Sequence, residues 1–160
     1  MNLESTKPKR ILLIEDSLTL RGGLRRALEK QMPGCEIFEA SEGRAALSSM
    51  TRQMVDLIIT DLEMPGMDGA AFLKLLKGNP VLSKKPIVVF SSRITDELKA
   101  EMESLPLIRF VPKSAKPEDI LKESLDLLAA GRSFPKLSRP GNESSEGESE
   151  GIPFSEPKKW

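Results

Sequence analysis

The chain has 160 residues, enough for one domain and a tail but not for two ordinary domains. Its 24 basic and 24 acidic residues cancel, so no overall field draws it to nucleic acid or to an anionic membrane surface. With no histidine and one cysteine, it excludes imidazole acid–base chemistry, a His-ligated metal, a zinc site of the usual kind and an internal disulfide.

Cys35 reads as a small apolar residue entering a strand, in keeping with a reducing cytoplasm. No apolar run approaches the roughly 18 residues of a membrane span. The N-terminal MNLESTKPKR contains no apolar stretch of signal-peptide length, so a cytoplasmic location with no membrane insertion is expected.

In chain order, the apolar period switches repeatedly between strand and helix values. Ile11-Leu12-Leu13-Ile14 is a continuous apolar run, the mark of a strand buried on both faces. Leu20, Leu24, Ala27 and Leu28 then fall at the spacing of one helix face, stopped by Pro33-Gly34. A short strand is predicted over Cys35 to Phe38 and a helix from near Ser41, carrying Ala45, Ala46, Leu47 and Met50. Val55 to Thr60 is a second β-branched run, and the glycine-rich turn at 64–69 leads into a helix with Phe72, Leu73, Leu75 and Leu76.

Pro86 opens a fourth strand at 87–90, and Ile94, Leu98 and Met102 mark the face of a fourth helix, which Ser91-Ser92 could cap. Leu107 to Val111 is the fifth strand. Pro117 suits the first turn of a last helix, where its missing N–H has no intrahelical partner. Glu118 and Asp119 complement that helix's positive end, and Ile120, Leu121, Leu125 and Leu128 provide apolar faces.

Five strands alternating with five helices predict an α/β, doubly wound five-stranded parallel sheet with helices on both faces. Right-handed crossovers leave the flavodoxin-like order 2-1-3-4-5 as the best fit, with the fifth strand and its Pro112 at an edge. The domain is expected over residues 8–131. Residues 132–160 read as a disordered polar, acidic tail, because GNESSEGESEG at 141–151 has too little apolar surface to offset its ordering entropy.

Ligands of such sheets bind beyond the carboxyl ends of the strands. Glu15 and Asp16 follow strand one, Asp61 strand three, Ser91 strand four and Lys113 strand five, so the fold gathers three carboxylates, a hydroxyl and an ammonium in one cleft. Three close carboxylates repel unless a cation joins them, and Mg²⁺, which prefers oxygen ligands, is the natural one. Asp16, Asp61 and the backbone carbonyl of Glu63 form its expected protein ligands. Asp61 is then the nucleophile toward a phosphoryl group, with Lys113 and the Ser91 hydroxyl neutralising the equatorial oxygens.

These residues resemble the receiver domain of bacterial two-component response regulators over roughly residues 8–130. The matching motifs are Glu15-Asp16, the stretch from Asp61 to Gly69 (DLEMPGMDG), Ser91 and Lys113, with Phe110 at the position of the family's switch aromatic. The resemblance implies a phosphorelay protein. A histidine kinase or histidine phosphotransfer protein would donate phosphate to Asp61, with Mg²⁺ on Asp16, Asp61 and the Glu63 carbonyl and Glu15 assisting through water. Ser91 and Phe110 would then move and change a surface that binds a downstream protein target, the chain acting as a chemotaxis-type single-domain regulator rather than an enzyme. Three positions depart from the family pattern: Ser114 replaces the usual proline after the lysine, Leu18 stands where proline is frequent, and Glu63 is acidic at a position that tunes dephosphorylation.

Two other readings compete. A pseudo-receiver would keep the fold as an unphosphorylated interaction scaffold, against which the intact Asp16, Asp61 and Lys113 argue. An aspartate-nucleophile phosphatase of another doubly wound class would need a second aspartate two residues after a first-strand nucleophile, which Glu15-Asp16 does not provide.

Overall fold

The computed structural model describes residues 7–137 except 53, 65 and 68, with backbone alone over 131–137. Pro65 and Asp68 of the glycine-rich turn, and residues 138–160 of the expected tail, therefore lie outside the described residues. The strands are β1 (Arg10–Ile14), β2 (Glu36–Ala40), β3 (Leu57–Thr60), β4 (Ile87–Ser91) and β5 (Ile108–Pro112). The helices are α1 (Leu18–Gln31), α2 (Gly43–Arg52), α3 (Gly69–Lys77), α4 (Asp96–Glu101) and α5 (Pro117–Leu137), with a 3₁₀ turn at Leu82–Lys84. Helix α5 thus continues past residue 131, where the tail was expected to start.

All four strand pairings are parallel, in the order β2-β1-β3-β4-β5. The unbroken apolar runs of β1, β3 and β4 are buried along nearly their whole length because helices cover both faces. Leu12, Ile14, Ile58, Ile87 and Val89 pack with α2, α3 and α4 through Ala46, Phe72, Leu73, Leu76 and Leu98. Ile11, Leu13, Leu57, Ile59, Val88 and Phe90 pack on the other face with α1 and α5 through Leu24, Leu28, Ile120, Leu121, Leu127 and Leu128.

Three details of the helices differ from the sequence pattern. Leu20 opens α1 toward solvent, so Leu24 and Leu28 carry that helix's core face. In α5, Leu125 is exposed and Leu127 is buried in its stead. The core-facing position between Leu121 and Leu127 is Ser124, fully buried, whose hydroxyl donates to the Ile120 carbonyl at 2.7 Å and so needs no other partner. Helix α4 is capped by Thr95, which accepts from the Leu98 N–H at 3.1 Å, rather than by Ser91 or Ser92, and Ile94 precedes the helix.

Among the described residues, no helix is long and apolar enough to cross a membrane.

Candidate functional site

The site lies at the carboxyl ends of β1, β3, β4 and β5. Because adjacent strands are in parallel register, the first residue beyond each strand emerges on the same edge. Glu15 leaves β1 with its N–H bonded to the Ala40 carbonyl at 3.0 Å, and Asp61 leaves β3 with its N–H bonded to the Ile14 carbonyl at 3.1 Å. Lys113 follows β5, its N–H bonded to the Ser91 carbonyl at 3.1 Å. Among the described residues no peptide bond is cis, so Lys113–Ser114 is trans.

Asp61 is fully buried. Its Oδ1 accepts from the Leu62 N–H at 2.6 Å and the Glu63 N–H at 3.2 Å, and its Oδ2 accepts from Lys113 Nζ at 2.7 Å. Two backbone donors therefore fix one oxygen, whereas the other is held by a side chain that can move.

Glu15 is also fully buried. Its Oε2 accepts from the Ser17 N–H at 2.8 Å. Its Oε1 lies 3.3 Å from Lys113 Nζ as an ion pair but accepts no hydrogen bond from any described residue. Burial pushes the Glu15 carboxyl above its ordinary value, against the opposing pull of the Ser17 N–H and the Lys113 charge. For Lys113, burial pulls the other way, but the hydrogen bond to Asp61 and the charges of Asp61 and Glu15 outweigh it, and its pKa is raised. The ammonium also stands 5.7 Å from the Phe90 ring centroid, which walls the site from below.

Asp16 is exposed, yet one carboxylate oxygen each from Glu15, Asp16 and Asp61 lie within 4.8 Å of one another. Three hard oxygen donors that close, from carboxylates one of which (Glu15) has a buried oxygen without a hydrogen-bond donor, suit Mg²⁺. Asp16 also lines a pocket of about 780 Å³ between the β3–α3 and β4–α4 connections, with Leu62, Glu63, Met64, Arg93 and Thr95.

Ser91 is buried, its Oγ accepting from the Arg93 N–H at 3.1 Å. The Glu63 side chain turns away from the carboxylate cluster, accepting from Ser92 Oγ at 2.7 Å and pairing with Arg93 Nε at 3.4 Å. Phe110 is half-buried against the α2–α3–α4 face of the core.

The glycines of the β3–α3 connection have separate physical reasons. Gly66 has φ +83°, a conformation side chains rarely adopt, and Gly69 leaves no room for a Cβ against the Leu62 backbone. Two contributors escaped the sequence reading. Ser17 caps α1 through the Leu20 N–H at 3.3 Å while its own N–H holds Glu15; a serine before an apolar helix period was the available signal. Arg21, whose guanidinium donates to the Glu15 carbonyl at 2.7 Å, looked like any helix-surface arginine.

Residues 11–124 match the family model for the response regulator receiver domain. The gliding motility regulatory protein of Myxococcus xanthus is 29% identical over 127 residues, 78% of this chain and 16% of that protein. A protein-glutamate methylesterase/protein-glutamine glutaminase of Treponema denticola is 35% identical over 132 residues, 77% of this chain and 35% of its own length. The chain thus spans about a third or less of these curated relatives. Among solved structures, the chemotaxis response regulator CheY4 of Vibrio cholerae superposes with a TM-score of 0.66 at 26% identity, covering 76% of this chain and 99% of that one.

Proposed function

Because the chain belongs to the response-regulator receiver domain family of two-component signalling, we propose that Asp61 accepts a phosphoryl group from a phosphohistidine and that the new charge switches a protein-binding surface. The observation that carries this reading is the division of labour at Asp61: Oδ1 is pinned by the Leu62 and Glu63 N–H groups, and Oδ2 is held by a lysine ammonium. In the transfer, an Asp61 oxygen forms the new P–O bond as the P–N bond to the donor imidazole breaks, its electron pair leaving with the nitrogen. Lys113 passes from the carboxylate to a phosphoryl oxygen, a motion its flexible stem allows. Asp16, Asp61 and the Glu63 carbonyl would hold Mg²⁺, with Glu15 assisting through water, and the ion would supply positive charge to the phosphoryl oxygens.

Ser91 and Phe110 are the proposed moving parts. The Ser91 hydroxyl, now bonded to the Arg93 N–H, would turn to a phosphoryl oxygen, and Phe110 would move further inward. The proposed partners are a histidine kinase or a histidine phosphotransfer protein as donor and a downstream protein as target, and the proposed location is the cytoplasm. Neither nucleic acid nor membrane insertion is part of the proposal.

The test is intact mass after incubation with a small phosphodonor and Mg²⁺, run beside Asp61→Ala. One added phosphoryl group on the parent and none on the variant supports the reading. No addition to a folded parent overturns it in favour of an interaction scaffold.

A further inference from the structure

Glu15 is one residue past the end of β1, and there the sheet's hydrogen bonding runs out. The Ile14 carbonyl takes the Asp61 N–H at 3.1 Å and the Glu15 N–H goes to Ala40 at 3.0 Å, but the Glu15 carbonyl lies beyond both ladders. Its donor comes from α1 instead: Arg21 Nη1, at 2.7 Å. The same guanidinium donates through Nε to Glu39 Oε1 at 2.7 Å, and the other Glu39 oxygen takes Arg25 Nη1. The Arg21 side chain is only 15% exposed, so this two-sided grip is partly withdrawn from water.

We propose that Arg21 is a positioning residue for the divalent-cation site. By holding the Glu15 carbonyl, it fixes the peptide plane that joins Glu15 to Asp16, and with it the directions from which both carboxylates approach Asp61. The inference rests on the phosphoacceptor reading, because that reading supplies the cation. Asp16 depends on such a constraint more than its neighbours do, since it is exposed whereas Glu15 and Asp61 are buried. Arginine suits the task for a geometric reason: its planar fork spans a carbonyl on one side and a carboxylate on the other, which a single ammonium on a flexible stem does not reproduce. Glu39 in turn prevents the guanidinium from rotating away.

Charge and position make opposite predictions here. Removing a cation beside an acidic cluster lowers the local positive potential, so if Arg21 acted through charge alone, its loss would tighten Mg²⁺ binding. If it acts by holding the Glu15–Asp16 peptide, its loss weakens binding by about tenfold or more, the usual effect of losing an outer partner that orients metal ligands.

The experiment is a Mg²⁺ titration of the full chain by calorimetry and backbone amide shifts, with Arg21→Ala, Arg21→Lys and Glu39→Gln compared with the parent. The expected order of affinity is parent, then Glu39→Gln and Arg21→Lys, then Arg21→Ala. A folded Arg21→Ala that binds Mg²⁺ as the parent does, or more tightly, overturns the assignment even if its urea midpoint has fallen. Should Arg21→Ala not fold, parent-like affinity in both Arg21→Lys and Glu39→Gln overturns it. A parent that does not bind Mg²⁺ at all brings down the cation site of the phosphoacceptor reading and this inference together, whereas a binding parent beside an Arg21→Ala of equal affinity brings down this inference alone.

Discussion

Replacing Gly69 by alanine tests whether packing at the start of α3 holds Asp61, the proposed phosphoacceptor, in place. A Cβ at that position would lie 2.3 Å from the Leu62 Cα, 2.4 Å from its carbonyl oxygen and 2.7 Å from its carbonyl carbon. Ordinary carbon contacts lie near 3.5–4.0 Å, so each is short by roughly 1 Å. All three atoms are backbone, and no rotamer change relieves them. Overpacking of this kind costs roughly 1–3 kcal/mol, and three rigid contacts argue for the upper end. For a domain of this size that is a fall in melting temperature of roughly 10 °C.

The strain has a direct path to the site. Gly69 N–H donates to the Leu62 carbonyl at 3.0 Å, and Leu62 N–H holds Asp61 Oδ1 at 2.6 Å. A shift of Leu62 therefore moves Asp61, the proposed nucleophile, and a misplacement of about 1 Å can cost on the order of a hundredfold in rate. Urea unfolding followed by circular dichroism gives the stability, and the rate of mass gain with a small phosphodonor gives the chemistry. A Gly69→Ala variant within about 0.5 kcal/mol of the parent, the range of an ordinary surface change, would refute the reasoning.

Gly23→Ala is the counterpart, because a Cβ there meets nothing within 4 Å in the middle of α1. It should stabilise by about 0.5–1 kcal/mol, seen as a higher urea midpoint with an unchanged slope. Mg²⁺ at ten times its dissociation constant should add about 1.4 kcal/mol of stability by binding only the folded state, and Asp16→Ala should abolish the rise in melting temperature. In acid, the bond from Arg21, then that from Arg25, holds the Glu39 carboxyl below its ordinary value despite partial burial. A depressed carboxylate gives stability that is fully present above the unfolded value, near 4.5, and is lost as pH falls through the folded value. Urea midpoints from neutral pH down through that window should therefore fall less steeply for Glu39→Gln than for the parent; identical curves would sink the assignment.

What the sequence made legible follows from how each feature is encoded. The central strands were readable because burial on both faces demands unbroken apolar runs, and the parallel order then brought Glu15, Asp16, Asp61, Ser91 and Lys113 to one edge. The helices were less legible where a polar residue occupies a core position. Ser124 hides in the α5 pattern because its hydroxyl is satisfied by its own helix, and Leu125 was credited with a burial that belongs to Leu127. Thr95 was passed over as a cap because the two serines closer to β4 offered the same chemistry. Arg21 had no local signal, since its partners lie on β2 and at the end of β1 and meet it only once the sheet has formed.

The charge of the site explains why its parts belong together. With Glu15, Asp16 and Asp61 ionised and Lys113 protonated, the cluster carries a formal charge of about two negatives, and two of its carboxylates are fully buried. Burial of that excess is costly unless the charge is met, which favours the proposed divalent cation. With the cation in place, a phosphoryl group on Asp61 would bring about −1.5 to −2 of charge in place of the carboxylate's single negative, together with three acceptor oxygens. Lys113 alone cannot satisfy all three, and the proposed second donor is the hydroxyl proton of Ser91, whose oxygen accepts from the Arg93 N–H. If the Ser91 side chain rotates so that its oxygen leaves the Arg93 N–H, the start of the β4–α4 connection would loosen. In the proposed switch, a local change of charge would thereby become a movement of surface backbone that depends on the cation preceding it.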